Sequence, residues 1–288
     1  MPDFGFTNDE ATAIAAFLRK QSQPVELASP KRSKDAKKDR VAGATQFRAL
    51  GCVACHTVGK LGHIGPFGGG DLTNVGSRRS KNWLFTWLKT PSKLNAAHRM
   101  PVFDLTTAER TQLATYLVGL TRSSGNVDKA QPQAADEVIE QGRKLVAVAR
   151  CASCHAIPGV KPPTTQLPDL AKPLANWSQT CLAEKPDRKK HRPAFAQLDR
   201  KAVIAYLKSR AGALSTESEF TQGHRLVESN NCLACHDRDG VKGLSQFAAT
   251  ISTSDEKLQG ESQALIPPAL TAVGDKLLDE ALRTAVAG

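Results

Sequence analysis

Three stretches of the sequence carry two cysteines and a histidine in one arrangement, Cys-x-x-Cys-His. They are Cys52-Val-Ala-Cys55-His56, Cys151-Ala-Ser-Cys154-His155 and Cys232-Leu-Ala-Cys235-His236. Two thiols one helical turn apart can add to the two vinyl groups of a haem, which places the adjacent histidine beneath the iron. The pattern therefore predicts three covalently attached haem c groups, with His56, His155 and His236 as proximal iron ligands.

The cysteine pattern argues against the other common roles of cysteine pairs. The chain has seven cysteines, and Cys181 alone lies outside the three pairs. Zinc would take four ligands clustered together, whereas here a single histidine follows each pair at the same offset. A disulfide framework would not explain that histidine either. Cys181 falls at an inward helix position of the repeat, so we expect a buried free thiol there.

Both methionines of the chain precede a proline, in Met1-Pro2 and Met100-Pro101. A methionine that only fills a core has no reason to precede proline, whereas a loop methionine can bring its thioether to the open face of a haem. We therefore predict Met100 as the sixth ligand of the first haem, with His98 as the rival. His/Met ligation would raise the reduction potential of that haem.

Composition and charge narrow the class of partner. The 288 residues contain only 5% aromatics, which suits small helical domains that each bury a large apolar cofactor. The formal net charge is +11, but the densest basic run, residues 31–40, includes aspartate and lacks aromatics. Such a run is typical of a solvated linker, with docking of a partner protein as the alternative, and nucleic-acid binding is not predicted.

Internal repeats divide the chain into haem units and linkers. Residues 1–21 repeat the pattern Met-Pro-x-Phe-x-x-Thr-x-x-Glu that follows Met100, so they look like the closing half of a unit. The predicted segments are this closing half (1–21), a charged linker (22–40), the first haem unit (41–121), a polar linker (122–135), the second haem unit (136–211), and the opening half of a third unit (216–288).

The first unit resembles the class I cytochrome c fold. It has a helix before the haem motif, a loop, a helix with Trp83 and Trp87, the Met100 loop and a final helix. The resemblance implies an all-α protein of tandem cytochrome c-like domains, each with a few short helices around one haem. It also implies that a loop proline carbonyl accepts a hydrogen bond from each proximal histidine. The candidates are Pro66, Pro168 and Pro268.

The sixth ligands of the second and third haems stay open at this stage. In the second unit, Arg192 replaces the methionine, so either His191 ligates the iron or the iron keeps an open position near Arg192. The third unit has no later ligand. Either the chain is a piece of a longer protein, or residues 1–21 complete residues 216–288, within one molecule or from a neighbour, with Met1 reaching the third iron.

These expectations favour an electron carrier that passes single electrons between protein redox partners. The alternatives are a peroxidase-like haem enzyme with an open site at the second haem, and a haem subunit of a larger dehydrogenase complex. Because haem c is assembled outside the cytoplasm, we expect a periplasmic or otherwise extracytoplasmic protein. The sequence has neither a signal peptide nor a transmembrane segment, which suggests a mature form or part of a larger chain or complex.

Overall fold

The structure is a computed structural model that describes most of the chain. The described residues are 3–22, 24–31, 34–62, 67–121, 134–163, 182–185, 187, 194–195, 198–210, 218–253, 259–261, 264 and 266–287. They form two compact units, and each combines segments that are distant in sequence. The small unit joins Met1–Pro24 to Ala130–Thr216, and the large unit joins Val25–Lys129 to Glu217–Gly288.

The large unit begins with the elements of the first haem motif. In chain order they are α2 (Ala36–Ala49), a 3-10 turn (Cys52–Ala54), β1 (His56–Thr57), β2 (Gly70–Asp71), a 3-10 turn (Val75–Ser77), α3 (Lys81–Lys89), α4 (Pro91–Leu94) and α5 (Thr107–Val118). Helix α2 starts inside the segment that was predicted as a charged linker. The reason is a helix cap, since the Asp35 side chain accepts a hydrogen bond from the backbone N–H of Lys38.

The second part of the large unit carries the third haem motif. It contains α8 (Glu219–Ser229), a 3-10 turn (Cys232–Ala234), a second 3-10 turn (Leu244–Phe247), α9 (Ala248–Ser252), α10 (Val273–Lys276) and α11 (Asp279–Ala287). Leu244 and Ile251 are buried in the same apolar core as Phe47, Val53 and Leu113 of the first part. One core therefore serves the first and third haem motifs.

Helices α2 and α5 pack against each other where α2 has a glycine. A Cβ atom at Gly43 would overlap the backbone carbonyl of Gln112 and would lie 2.8 Å from Tyr116 Cβ. Only glycine lets the two backbones approach this closely. Below the crossing, Phe47 and Leu113 are each only 2% exposed. The crossing thus brings the helix before the first haem motif onto the helix after Met100.

The small unit repeats this crossing with helices from two distant segments. It contains α1 (Asn8–Gln21), α6 (Asp136–Val148), a 3-10 turn (Cys151–Ser153) and α7 (Arg200–Arg210). A Cβ atom at Gly142 of α6 would overlap the carbonyl of Ala13 and would lie 2.9 Å from Phe17 Cβ of α1. Residues 1–21 were expected as a possible complement of residues 216–288, whereas here α1 packs against α6.

Helices α1 and α5 have the same type of N-terminal cap, and each packs on a helix that has a glycine at the crossing. Thr7 and Glu10 form a capping box at the start of α1, and Thr106 and Glu109 form the same box at the start of α5. Both boxes agree with the repeated Thr-x-x-Glu of the sequence. In the small unit, Asp3 also pairs with Ala194 through two backbone hydrogen bonds of 2.8 and 2.7 Å.

The secondary structure confirms the expected all-α class. The described residues are mostly helical, and their named strands are the two-residue parallel pair β1 and β2, in which His56 lies opposite Gly70. Of the helices in these ranges, none is both long and apolar enough to cross a lipid bilayer.

The helix crossings lead to a stability prediction. Gly43→Ala and Gly142→Ala should each lower the free energy of unfolding by about 1–3 kcal/mol, because the added methyl group overpacks the crossing. Gly223 of α8 is the matched control, since no described atom lies within 4 Å of its Cβ position. Gly223→Ala should stabilise its helix by up to about 1 kcal/mol. Denaturant unfolding measures all three variants, and equal effects would contradict the packing of α1 on α6.

Candidate haem sites

The three Cys-x-x-Cys-His motifs adopt one backbone conformation. Before each motif stands a residue in the left-handed region, with φ of 69° at Gly51, 56° at Arg150 and 57° at Asn231. A 3-10 turn follows, closed by a backbone hydrogen bond between the two cysteines of 3.3, 3.2 and 3.3 Å in chain order. A non-glycine residue in this region costs about 1–2 kcal/mol. Arg150 and Asn231 adopt it nevertheless, as the geometry of the turn requires.

His56 is held by the short parallel strand pair. Its Nδ1–H donates to the backbone carbonyl of Gly70 at 3.1 Å, which leaves Nε2 as the nitrogen for the iron. The family resemblance suggested Pro66 for this role, and Pro66 lies outside the described residues. The sequence could have indicated Gly70 through its position. Gly70 lies two residues before the pair Leu72-Thr73, just as Pro268 lies two residues before the pair Leu270-Thr271.

His236 is held in the same way. Its Nδ1–H donates to the carbonyl of Pro268 at 2.7 Å, as the resemblance predicted. The supporting loops also match, since Leu270 N–H donates to Asp237 O at 2.8 Å and Leu72 N–H donates to Thr57 O at 2.9 Å. Both histidines expected as proximal ligands therefore have a ring orientation set by the backbone.

Met100 lies half-buried against the core of the large unit. The indole Nε1–H of Trp87 donates to Met100 Sδ at 3.1 Å, and Trp87 stacks on Trp83 with ring centroids 5.1 Å apart. His98 Nδ1 lies 3.0 Å from the carbonyl oxygen of Met100. The rival histidine is thus engaged with the backbone of the loop. The hydrogen bond from Trp87 to the thioether could not be predicted from the sequence, which indicates only that Trp87 lies on an apolar helix face.

Burial sets the electrostatics of the three motifs. None of the six motif cysteines, all of which lie in the described residues, forms a disulfide bond. Burial raises the pKa of Cys52 to about 12 and also raises the pKa of Cys55, Cys151 and Cys235. Burial lowers the pKa of His56, with partial compensation by the carbonyls of Gly70 and Gly69, and so favours the neutral imidazole that a metal requires. The residues present thus suit a haem.

Several predicted site residues lie outside the described residues. They are Met1, Pro66, Pro168, Cys181, His191 and Arg192. His155 is described and exposed, at the end of the second motif. Within the described ranges, no three His, Cys, Asp or Glu side chains converge as a metal cluster would require.

Comparison with known proteins identifies the class of the first unit. The family model for cytochrome c matches residues 41–121. No curated protein and no solved structure matches the chain significantly. Residues 41–121 are therefore similar to a cytochrome c domain. Domains of this class bind haem c covalently through Cys-x-x-Cys-His and transfer electrons with redox partners, so the match supports haem-based electron transfer by this segment.

The position of Gly69 leads to a prediction about the proximal ligand. A Cβ atom at Gly69 would overlap the imidazole ring of His56. Gly69→Ala should therefore displace the ring, at an overpacking cost of about 1–3 kcal/mol, and raise the high-spin fraction of the first haem, as read from the absorption spectrum. Gly274→Ala is the control, because Gly274, like Gly69, lacks a left-handed φ, and no described atom outside its own chain neighbourhood lies within 4 Å of its Cβ position. An unchanged spectrum in Gly69→Ala would contradict this role.

Proposed function

We propose that this chain is a multihaem c-type cytochrome that carries single electrons between an electron donor protein and an electron acceptor protein. Three haem c groups would be attached, through Cys52 and Cys55, Cys151 and Cys154, and Cys232 and Cys235. When bound, each haem supplies the one-electron chemistry, while the chain supplies axial ligands, an apolar pocket and docking faces.

One observation carries this proposal beyond the cytochrome c domain. The second and third motifs reproduce the left-handed residue and the cysteine-to-cysteine turn of the first motif, although two of the three left-handed positions lack glycine. Chance Cys-x-x-Cys-His sequences would have no reason to share a strained turn. The common turn supports one chemistry at all three motifs.

The iron ligands follow from the same comparison. His56, His155 and His236 would be the proximal ligands. Met100 would be the sixth ligand of the first haem, where its thioether would favour the ferrous state and raise the potential. The hydrogen bond from Trp87 withdraws electron density from Met100 Sδ and acts in the same direction.

Met1 would serve the second haem rather than the third. Helix α1 lies on α6 with Phe17 at the Gly142 crossing, as Tyr116 of α5 lies at the Gly43 crossing. Met1 precedes α1 at the interval at which Met100 precedes α5. His191 is the rival ligand at this haem, because the backbone pairing of Asp3 with Ala194 joins the segment after Met1 to the segment after His191.

The third haem would then keep an open coordination position in this chain. Both methionines of the sequence are then assigned to the other two haems, Met100 to the first and Met1 to the second. Different sixth ligands would separate the three potentials and give electron flow a direction. An extracytoplasmic location, such as the periplasm, follows from the place where haem c is attached.

Carbon monoxide binding to the reduced protein tests these ligands. The parent protein should bind one equivalent, at the third haem, because the other two irons are six-coordinate. Met100→Ala should add one equivalent and lower the potential of the first haem, whereas His98→Ala should change neither. A Cys232→Ala/Cys235→Ala variant should bind none.

Two results would contradict the assignments. Intact mass showing fewer than three attached haems in the parent protein would end the multihaem proposal. An additional equivalent of carbon monoxide in His191→Ala would assign the second haem to His191 instead of Met1.

Peroxide turnover separates the carrier from a haem enzyme. Because the proposed role needs no substrate pocket, the parent protein should consume hydrogen peroxide with a reduced donor no faster than its Cys151→Ala/Cys154→Ala variant, which lacks the second haem, or its Cys232→Ala/Cys235→Ala variant, which lacks the third. It should instead exchange electrons reversibly with a small redox protein in stopped-flow measurements. Peroxide turnover that is at least about tenfold faster in the parent protein, a difference of about 1.4 kcal/mol in the barrier, would favour the peroxidase-like alternative.

A further inference from the structure

The first and third haem motifs touch each other in the large unit. The side-chain amide of Asn231, directly before Cys232, donates a hydrogen bond to Cys55 Sγ at 3.4 Å. Asn231 is also the left-handed residue that starts the third turn, so its position is tied to that of Cys232. A residue of the third motif thus contacts a haem-attachment atom of the first.

The contact belongs to a packed interface. Leu244 and Ile251, which follow the third motif, are 8% and 1% exposed in the core that contains Val53 and Ala54 of the first turn. The side chain of Leu244 also fills the space beside Gly51, with its Cδ2 3.2 Å from the position of a Cβ atom there. Cys235 packs against the same core. Apolar burial therefore holds the two turns together.

A second polar contact joins the Met100 loop to the third motif. The guanidinium of Arg99 donates to the backbone carbonyl of Ser229, at the end of α8, and its Cζ lies 5.2 Å from the ring centroid of Phe67. This contact and the shared apolar core place the attachment sites of the first and third motifs side by side.

We propose that the first and third haems exchange electrons directly, across a junction formed by Cys55, Asn231 and Cys235. The inference rests on the proposed function. Each cysteine sulfur would be bonded to a former vinyl group at the edge of its haem, so neighbouring sulfurs would mark neighbouring edges. One electron would then pass from the reduced haem to the oxidised haem, with no proton transferred and no bond formed or broken. Chain order would instead route electrons from the first haem through the second.

Circular dichroism in the haem absorption band tests the junction. Two haems in contact couple their transitions and give a paired positive and negative signal. The parent protein should show this pair, and Cys232→Ala/Cys235→Ala should abolish it. Cys151→Ala/Cys154→Ala, which removes the second haem, should retain it. Removal of the third haem should also shift the midpoint potential of the first, because neighbouring charges interact.

Two further variants, which keep all six attachment cysteines, test whether Asn231 positions the two haems. Asn231→Gly retains the left-handed turn, as Gly51 does in the first motif, and removes only the contact with Cys55. It should reduce the paired signal and slow the exchange between the first and third haems, as measured after flash reduction. Arg150→Gly, at the equivalent place of the second motif, should leave both readouts unchanged.

The outcomes distinguish this inference from the proposed function. Intact mass first reports how many haems are attached in each variant, and fewer than three in the parent protein would count against the proposed function. Three attached haems without a paired signal would overturn the junction alone. A paired signal that is lost with the second haem and retained without the third would overturn it as well.

Discussion

The close crossing of two helices at a glycine is the constraint on which both units depend. At Gly43 and at Gly142 the backbone of a second helix occupies the space that a side chain would fill. The first crossing sets α5 on α2 and so brings the Met100 loop to the unit that carries Cys52 and His56. The second sets α1 on α6, although the two helices are more than a hundred residues apart in sequence. The approach of each pair of helices therefore depends on backbone proximity that only glycine permits.

The local part of this structure could be predicted from the sequence. The capping boxes at Thr7 and Thr106, and the carbonyl of Pro268 as partner of His236, follow from short patterns, and each is present. Such features depend on neighbouring residues or on a repeat. A search for proline does not find the partner of His56, because that partner is the carbonyl of Gly70. The fold keeps the position of this carbonyl relative to Leu72 and not the residue type.

The tertiary pairings could not be predicted in the same way. The repeat indicates that α1 corresponds to α5, the helix that follows Met100. It does not indicate which helix α1 packs on, because the helix before each of the three motifs has a glycine at the same distance from the first cysteine. The choice of α6 depends on the burial of Ala16, Phe17, Ile139 and Val146 in one cluster. Likewise, the hydrogen bond from Asn231 to Cys55 joins two motifs whose sequences contain no sign of mutual contact.

The third motif is packed differently from the other two within the described residues. Its opening helix α8 leaves Phe220 77% and Leu226 57% exposed, and Gly223 meets no described atom within 4 Å. Leu244 and Ile251, however, are buried against the first turn. Each fully buried side chain of this size contributes about 1.5–3 kcal/mol. In the third motif this burial comes from packing against residues 41–121, whereas in the other two motifs it comes from the helix crossing. The packing that buries Leu244 and Ile251 is also what brings Asn231 to Cys55, so apolar burial and the contact between the two motifs have one physical origin.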